Sequence, residues 1–75
     1  MINEKEIRNF MKNVEDLLEV VEEPSILSTL SDRQMRIRDY AGATYETLSW
    51  VLGYIDTYDF KTEYVRLDEL ESILE

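Results

Sequence analysis

The clearest pattern in the chain is a stripe of apolar residues that recurs at helical spacing. Its members are Ile7, Phe10, Met11, Val14, Leu17, Leu18 and Val21. Steps of three and one residues place such a series on one side of an α-helix. Asn3 can cap the start of this helix, with Glu6 in the capping-box position, and Pro24 disfavours helix at the residue before it. The pattern therefore predicts a first helix from about residue 3 to 22.

A second helix is predicted after a short apolar connector, residues 25 to 30, in which one helical turn can form. Ser31 and Gln34 make another capping-box pattern, so the second helix should run from about residue 32 to 54. Gly53 is suited to end it, because glycine readily takes the left-handed conformation of a C-terminal cap. One side of the helix is mainly apolar and consists of Ile37, Ala41, Thr44, Leu48, Val51, Leu52 and Ile55.

The second helix also carries a series at alternating steps of three and four residues, the rhythm of helix contacts. This aromatic seam consists of Tyr40, Ala43, Thr47, Trp50 and Tyr54. One interpretation is a central helix that contacts both other helices of a bundle. The other is a contact with another protein chain, since Trp and Tyr bury a large area and keep a polar atom. We predict the aromatic seam as a protein interface.

The C-terminal part leaves two possibilities open. Helical spacing of Val65, Leu67, Leu70, Ile73 and Leu74 favours a third helix from about residue 60 to 74. The alternative is an extended piece from Phe60 to Leu67, followed by a helix that Asp68 caps. The favoured interpretation predicts an all-α fold, with more than half of the residues helical. It is a small three-helix bundle in a single domain over residues 1–75, expected to self-associate because so short a chain buries a modest core.

Composition narrows the possible classes of function. The chain has a net charge of −9 and contains neither cysteine nor histidine, so disulfides and thiolate or imidazole ligands are excluded. The lack of cysteine fits a reducing compartment, and a cytoplasmic location is expected. We expect no signal peptide and no membrane span. The negative charge disfavours direct binding to nucleic acid or to an anionic membrane.

Charged residues are concentrated at three places, one of which is an acidic cluster at the chain end, Glu69, Glu71 and Glu75. An acidic patch near the end of the first helix comprises Glu15, Asp16, Glu19, Glu22 and Glu23. It is either a solvated face or a docking surface for a basic partner, in one form an imitation of a nucleic-acid backbone. Arg33, Arg36 and Arg38 lie near the start of the second helix, where cations oppose the helix dipole. They should pair with first-helix glutamates or adjacent aspartates, or contact an acidic partner.

Motifs that support catalysis are not found in the sequence. It lacks a serine–histidine or cysteine–histidine pair, a phosphate-binding glycine loop and an HExxH sequence. The stretch from Asp56 to Glu63 fails the calcium-loop pattern, since Tyr58 and Phe60 occupy ligand positions and the required glycine is missing. We therefore expect no enzyme activity, no catalytic residue, no cofactor and no metal.

The run from Glu46 to Gly53, ETLSWVLG, resembles segments of short helical proteins of bacterial phages and mobile elements. The resemblance covers eight of the 75 residues and implies a cytoplasmic accessory factor or an inhibitor of host machinery. With the composition, it favours a protein-interaction module that binds a protein partner, such as one with a basic surface. The alternatives are an acidic nucleic-acid mimic that blocks a DNA- or RNA-binding protein, and a structural subunit that mainly self-assembles.

Overall fold

A computed structural model describes residues 2–74 as an all-helical chain. Within these residues there is no β-strand, and 79% of them are helical. The helices are α1 (Glu4–Val21), α2 (Pro24–Leu27), α3 (Asp32–Val51), α4 (Thr57–Asp59) and α5 (Leu67–Ile73), with a π-helix at Phe60–Val65 between the last two. The predictions of an all-α fold and of a helical majority are confirmed.

The chain divides into two compact units, Met1–Tyr45 and Glu46–Glu75. The first unit contains α1, α2 and the larger part of α3. The second contains the end of α3, then α4, the π-helix and α5. The single domain expected over residues 1–75 stays a prediction.

The two long helices begin at caps that the sequence indicates. The Asn3 Oδ1 atom accepts a hydrogen bond of 2.9 Å from the backbone N–H of Glu6. Ser31 and Gln34 form a reciprocal pair, in which the Gln34 N–H donates to Ser31 Oγ at 3.2 Å and the Ser31 N–H donates to Gln34 Oε1 at 2.8 Å. Such bonds satisfy backbone donors that have no partner within the helix. Both predicted helix starts are confirmed.

Gly53 ends α3 through a Schellman motif. Its φ angle is +83°, in the left-handed region. The Gly53 N–H donates to the carbonyl of Trp50 at 3.0 Å, and the Tyr54 N–H donates to the carbonyl of Ser49 at 2.8 Å. These are the two bonds that define the motif. Gly53 is therefore the predicted stop, although α3 already ends at Val51 and not at residue 54.

The two glycines should respond to alanine with opposite signs. Gly53→Ala places a Cβ in the left-handed region and should cost about 1–2 kcal/mol. Gly42 lies inside α3, and a Cβ there would meet no atom within 4 Å among residues 2–74 outside its own helix backbone and chain neighbours. Gly42→Ala should therefore stabilise by about 0.5–1 kcal/mol. Urea unfolding followed by circular dichroism measures both, and a destabilised Gly42→Ala variant contradicts the expectation.

The C-terminal part is helical but is not one helix. The Asp56 carboxylate caps α4 by accepting a hydrogen bond of 2.7 Å from the Asp59 N–H. The π-helix follows α4 directly, and the Arg66 N–H closes it with a bond to the carbonyl of Lys61. Arg66 then has φ 54° and ψ 59°, and α5 begins after it.

This geometry corrects the prediction of an unbroken helix over residues 60–74. A left-handed residue cannot continue a right-handed helix, so the chain must restart at Leu67. The extended alternative for Phe60 to Leu67 is not adopted either. The alternative placed Asp68 at the N-cap of the last helix. Asp68 lies instead within the first turn of α5, and Arg66 is the N-cap residue.

Few apolar side chains are buried in residues 2–74. Met11 in the first unit and Phe60 in the second are the buried apolar residues, with 5% and 8% of their surface exposed. Large apolar side chains that remain exposed are Ile2, Phe10, Leu17, Val20, Ile37, Tyr40, Trp50, Val51, Tyr54, Tyr58, Tyr64, Leu67, Leu70, Ile73 and Leu74. Full burial of one such side chain is worth about 1.5–3 kcal/mol. Much of the hydrophobic stabilisation that this sequence can provide is therefore unused in the single chain.

Candidate interaction surfaces

An apolar groove lies in the first unit between α1 and the first half of α3. Its volume is about 370 Å³. The lining is mainly aliphatic and includes Val14, Leu17, Leu18, Val21, Ile37 and Ala41. The four α1 residues belong to the apolar stripe, so the periodicity that predicts the helix also forms one wall. The groove can accept apolar side chains.

The walls of the groove remain accessible to solvent. Leu17 on α1 is 67% exposed and Ile37 on α3 is 54% exposed. Phe10 and Val20 on α1, and Tyr40 on α3, are exposed as well, although they do not line the groove. Exposed apolar walls such as those formed by Leu17 and Ile37 are typical of a surface that contacts another molecule.

One ion pair connects α3 with the end of α1. The Arg38 Nε atom lies 3.5 Å from Glu22 Oε1, which confirms for Arg38 the predicted pairing with the first helix. Arg33 and Arg36 are exposed and form no ion pair with any residue from 2 to 74. Exposed pairs contribute only about 0–1 kcal/mol. The Arg38 pair therefore adds little to stability.

The acidic patch is exposed throughout, and two of its members are paired with cations. Asp16 Oδ1 lies 2.8 Å from Lys12 Nζ, and Glu22 pairs with Arg38. The hydrogen bond to Asp16 is the main reason why the pKa of Lys12 is raised, and the negative charge of Asp16 adds to it. Part of the negative charge is thus compensated within the unit. A docking role of the acidic patch stays a prediction.

The second unit is organised around the ring of Phe60. The Trp50 ring stacks on it, with centroids 4.6 Å apart and planes 5° apart. The Tyr64 ring lies 6.5 Å from Phe60 at a tilt of 35°. The Trp50 Nε1–H donates a hydrogen bond of 3.0 Å to Thr57 Oγ1. Trp50 therefore packs inside its own unit.

The aromatic seam is distributed over both units. Tyr40 and Ala43 belong to the first, whereas Thr47, Trp50 and Tyr54 belong to the second. All five residues are exposed, Trp50 the least of its three aromatic side chains. Since Trp50 also packs on Phe60, Tyr40 and Tyr54 offer more apolar surface to a partner. The protein-interface role of the seam stays a prediction.

Glu46 is a half-buried carboxylate that the sequence analysis did not single out. It lies one helical turn before Trp50, and desolvation raises its pKa. The negative charge of Glu46 is the largest of the causes that raise the pKa of Tyr64, and desolvation adds to it. The four-residue spacing from Trp50 was an available signal, because residues four apart share one helix face.

Glu46→Gln should stabilise the second unit slightly at neutral pH. A folded-state pKa above the unfolded value means that the charged carboxylate is disfavoured by folding. Its cost is absent at acidic pH and appears as the pH rises through the folded pKa. The gain should stay within about 0.5 kcal/mol because the site is partly solvated. Urea unfolding at acidic and neutral pH tests this, with Glu71→Gln as an exposed control.

The same substitution should lower the pKa of Tyr64, since it removes the charge that raises it most. Titration of tyrosine absorbance, compared between Glu46→Gln and the parent chain, measures this shift. An unchanged tyrosine titration would show that the charge of Glu46 does not raise the pKa of Tyr64, and would contradict the expectation.

A second hollow, of about 460 Å³, lies in the second unit. Its lining mixes both signs of charge, with Lys61 and Arg66 beside Asp68 and Glu71. Because both signs of charge line the hollow, it does not favour a ligand of either charge. No group of three or more acidic side chains within residues 2–74 is placed to hold a metal ion.

Known proteins do not indicate a role for these surfaces. No protein-family model, curated protein or solved structure matches the chain. None of the helices in residues 2–74 combines the length and hydropathy needed to cross a lipid bilayer. The function must therefore be inferred from the exposed apolar side chains, the groove and the charge distribution.

Proposed function

We propose that this chain is a small acidic protein-interaction module, which regulates or inhibits a larger assembly by binding to it without catalysis. The observation that carries the proposal is the exposure of large apolar side chains in both units, while Met11 and Phe60 are the buried apolar residues of residues 2–74. Apolar and aromatic anchors supply most of the binding energy at protein interfaces. A partner that covers them would complete the burial that the single chain leaves undone.

The charge distribution supports a partner with a basic surface at the second unit. Met1–Tyr45 carries six basic and nine acidic residues, a net −3, whereas Glu46–Glu75 carries two basic and eight acidic residues, a net −6. Unlike charges accelerate encounter and fix orientation. Tyr54 and Trp50 would then provide the apolar contact in this unit.

The acidic patch supports a second candidate, an imitation of nucleic acid that blocks a DNA- or RNA-binding protein. All five carboxylates are exposed, as such imitation requires. Asp16 and Glu22 are already paired with Lys12 and Arg38, which reduces the charge that a basic groove would meet. The protein-interaction module is therefore the better supported proposal.

Self-association into a helical bundle belongs to the same proposal. Two helices that form one open apolar groove leave a bundle incomplete, and another helix can complete it. A chain that mainly self-assembles would be a structural subunit. A self-associating chain that also retains a different protein would be a module with two surfaces.

A matched pair of tyrosine substitutions tests the interaction function. Tyr54 of the seam is 56% exposed, and Tyr58, outside the seam, is 72% exposed. With the full chain as bait, Tyr54→Ser should lower retention of the partner at least tenfold, about 1.4 kcal/mol, whereas Tyr58→Ser should retain it. Circular dichroism controls for folding. No specifically retained protein, or equal retention by both variants, contradicts the proposed contact.

A further inference from the structure

We propose that Glu46, Trp50 and Tyr64 form a binding site for one arginine side chain of a basic protein partner. The inference rests on the proposed function, because it names the chemical group that the second unit recognises on that partner. All three residues belong to the second unit, Glu46–Glu75.

The three side chains come together where the end of α3 packs against the π-helix. Glu46 and Trp50 are one turn apart on α3 and share a helix face, and helical side chains lean toward the N-terminus, so Trp50 leans toward Glu46. The Trp50 ring stacks on Phe60 with centroids 4.6 Å apart, and the Tyr64 ring lies 6.5 Å from Phe60. The charge of Glu46 is the largest of the causes that raise the pKa of Tyr64. A carboxylate therefore lies beside this group of rings.

The Glu46 carboxylate is half-buried and has no cation of its own. It forms no ion pair with any residue from 2 to 74, and desolvation alone raises its pKa. The basic side chains of the second unit, Lys61 and Arg66, line the second hollow, and Arg66 pairs with Glu69. A desolvated charge without a partner costs free energy in the folded chain. A cation supplied by another molecule would offset that cost.

Aromatic surface is available next to this carboxylate. Phe60 is 8% exposed and covers one face of the Trp50 ring, because the two planes are only 5° apart. Trp50 and Tyr64 remain 38% and 47% exposed. The faces of tryptophan and tyrosine rings attract cations through their quadrupoles. The site thus combines a negative charge with two aromatic side chains that a cation can reach.

This combination fits arginine better than lysine. The planar guanidinium group can stack on a ring and donate a fork of hydrogen bonds to a carboxylate, whereas the ammonium group of lysine is compact and strongly hydrated. The surrounding charge acts in the same direction, since the second unit has two basic and eight acidic residues, a net −6. Such a charge attracts a basic protein surface to this unit.

Titration of the full chain with the peptide acetyl-Gly-Arg-Gly-amide tests the site. Trp50 is the single tryptophan, so its fluorescence reports stacking of the guanidinium group. Physiological ionic strength screens the long-range attraction by the net charge of −9. The peptide should bind saturably, and the analogues with lysine or with uncharged citrulline should bind about fivefold more weakly. Equal binding of the arginine and citrulline peptides, or tighter binding of the lysine peptide, overturns the inference.

Glu46→Gln separates recognition from folding. The variant should bind the arginine peptide about tenfold more weakly, because it loses the charge that the guanidinium group meets. It is also expected to be slightly more stable than the parent at neutral pH, so weaker binding cannot be attributed to unfolding. Glu71→Gln removes the same charge from an exposed position of the same unit and should bind like the parent. Unchanged binding by Glu46→Gln, or an equal loss in Glu71→Gln, contradicts the site.

A second pair of variants tests the aromatic contribution. Tyr64→Phe keeps the ring and should bind like the parent, whereas Tyr64→Leu removes the ring face and should bind about threefold more weakly. Circular dichroism establishes that both variants keep the helical content of the parent. Equal binding by the two folded variants would remove Tyr64 from the site and overturn the inference as stated.

The inference and the proposed function can fail separately. A chain that retains a partner through Tyr54 but does not distinguish arginine from citrulline overturns only the arginine site. Glu46-dependent binding of the arginine peptide, without any retained protein, supports the site and contradicts the regulatory function.

Discussion

Phe60→Ala is expected to unfold residues 46–74 while α1 stays helical. Phe60 is the buried apolar side chain of that unit, and the rings of Trp50 and Tyr64 contact it. Truncation of a buried phenylalanine costs about 3–5 kcal/mol, because a cavity replaces the lost contacts. A small domain has only about 5–10 kcal/mol of stability in total. Local unfolding of the second unit is therefore the expected response.

Trp50 makes this prediction directly measurable, because it is the single tryptophan of the chain. Loss of its stacking partner should shift its fluorescence to longer wavelength and weaken the aromatic circular dichroism signal. Tyr58→Ala is the matched control, since Tyr58 is largely exposed and the change should stay within about 0.5 kcal/mol. Parent-like tryptophan emission and urea unfolding in Phe60→Ala would show that the aromatic stack does not hold the unit together.

The helix ends that were predictable from sequence are those that depend on neighbouring residues. Asn3 acts on a backbone donor three residues away, and Ser31 and Gln34 act on each other over the same distance. Gly53 needs only its own left-handed conformation. Such local chemistry is present in the sequence itself, so caps and stops can be identified without knowledge of tertiary contacts.

The C-terminal part could not be predicted in the same way. Arg66 takes a left-handed conformation that is uncommon for residues other than glycine, asparagine and aspartate, so its residue type contains no signal. The π-helix before it requires bonds between residues five apart, which no periodicity in this segment indicates. The four-residue spacing from Trp50 places Glu46 on the same helix face, but the desolvation of its carboxylate arises from the packing of the second unit.

The candidate surfaces were predictable only as helix faces. Periodicity placed Leu17 in the apolar stripe of the first helix and Ile37 on the apolar side of the second. It does not state what covers those faces, and both side chains remain more than half exposed in the single chain. Trp50 shows the converse, because a residue of the predicted interface series packs on Phe60 within its own unit. Spacing therefore identifies a face but not its partner.

Association with the partner is expected to depend strongly on Tyr54 and weakly on the acidic patch. Apolar anchors dominate binding energy, whereas charges at the rim mainly tune the encounter rate. Tyr54→Ser should weaken binding by about tenfold to a hundredfold, which corresponds to about 1.4–2.7 kcal/mol. Changing Glu15, Asp16, Glu19 and Glu22 to their amides should change the affinity by less than about fivefold, below 1 kcal/mol.

Association rates across a range of salt concentrations decide between this expectation and nucleic-acid mimicry. Screening reduces the reach of charge to about 8 Å at physiological ionic strength, so binding steered by carboxylates must slow as salt rises. Tyr58→Ser is the control for loss of an exposed ring outside the seam. A steep salt dependence, a reduced on-rate for the amide variant and competition by nucleic acid for the same partner would together establish mimicry. We expect an almost unchanged on-rate for the amide variant and no competition, because Asp16 and Glu22 already face Lys12 and Arg38, while the ring of Tyr54 stays exposed for contact.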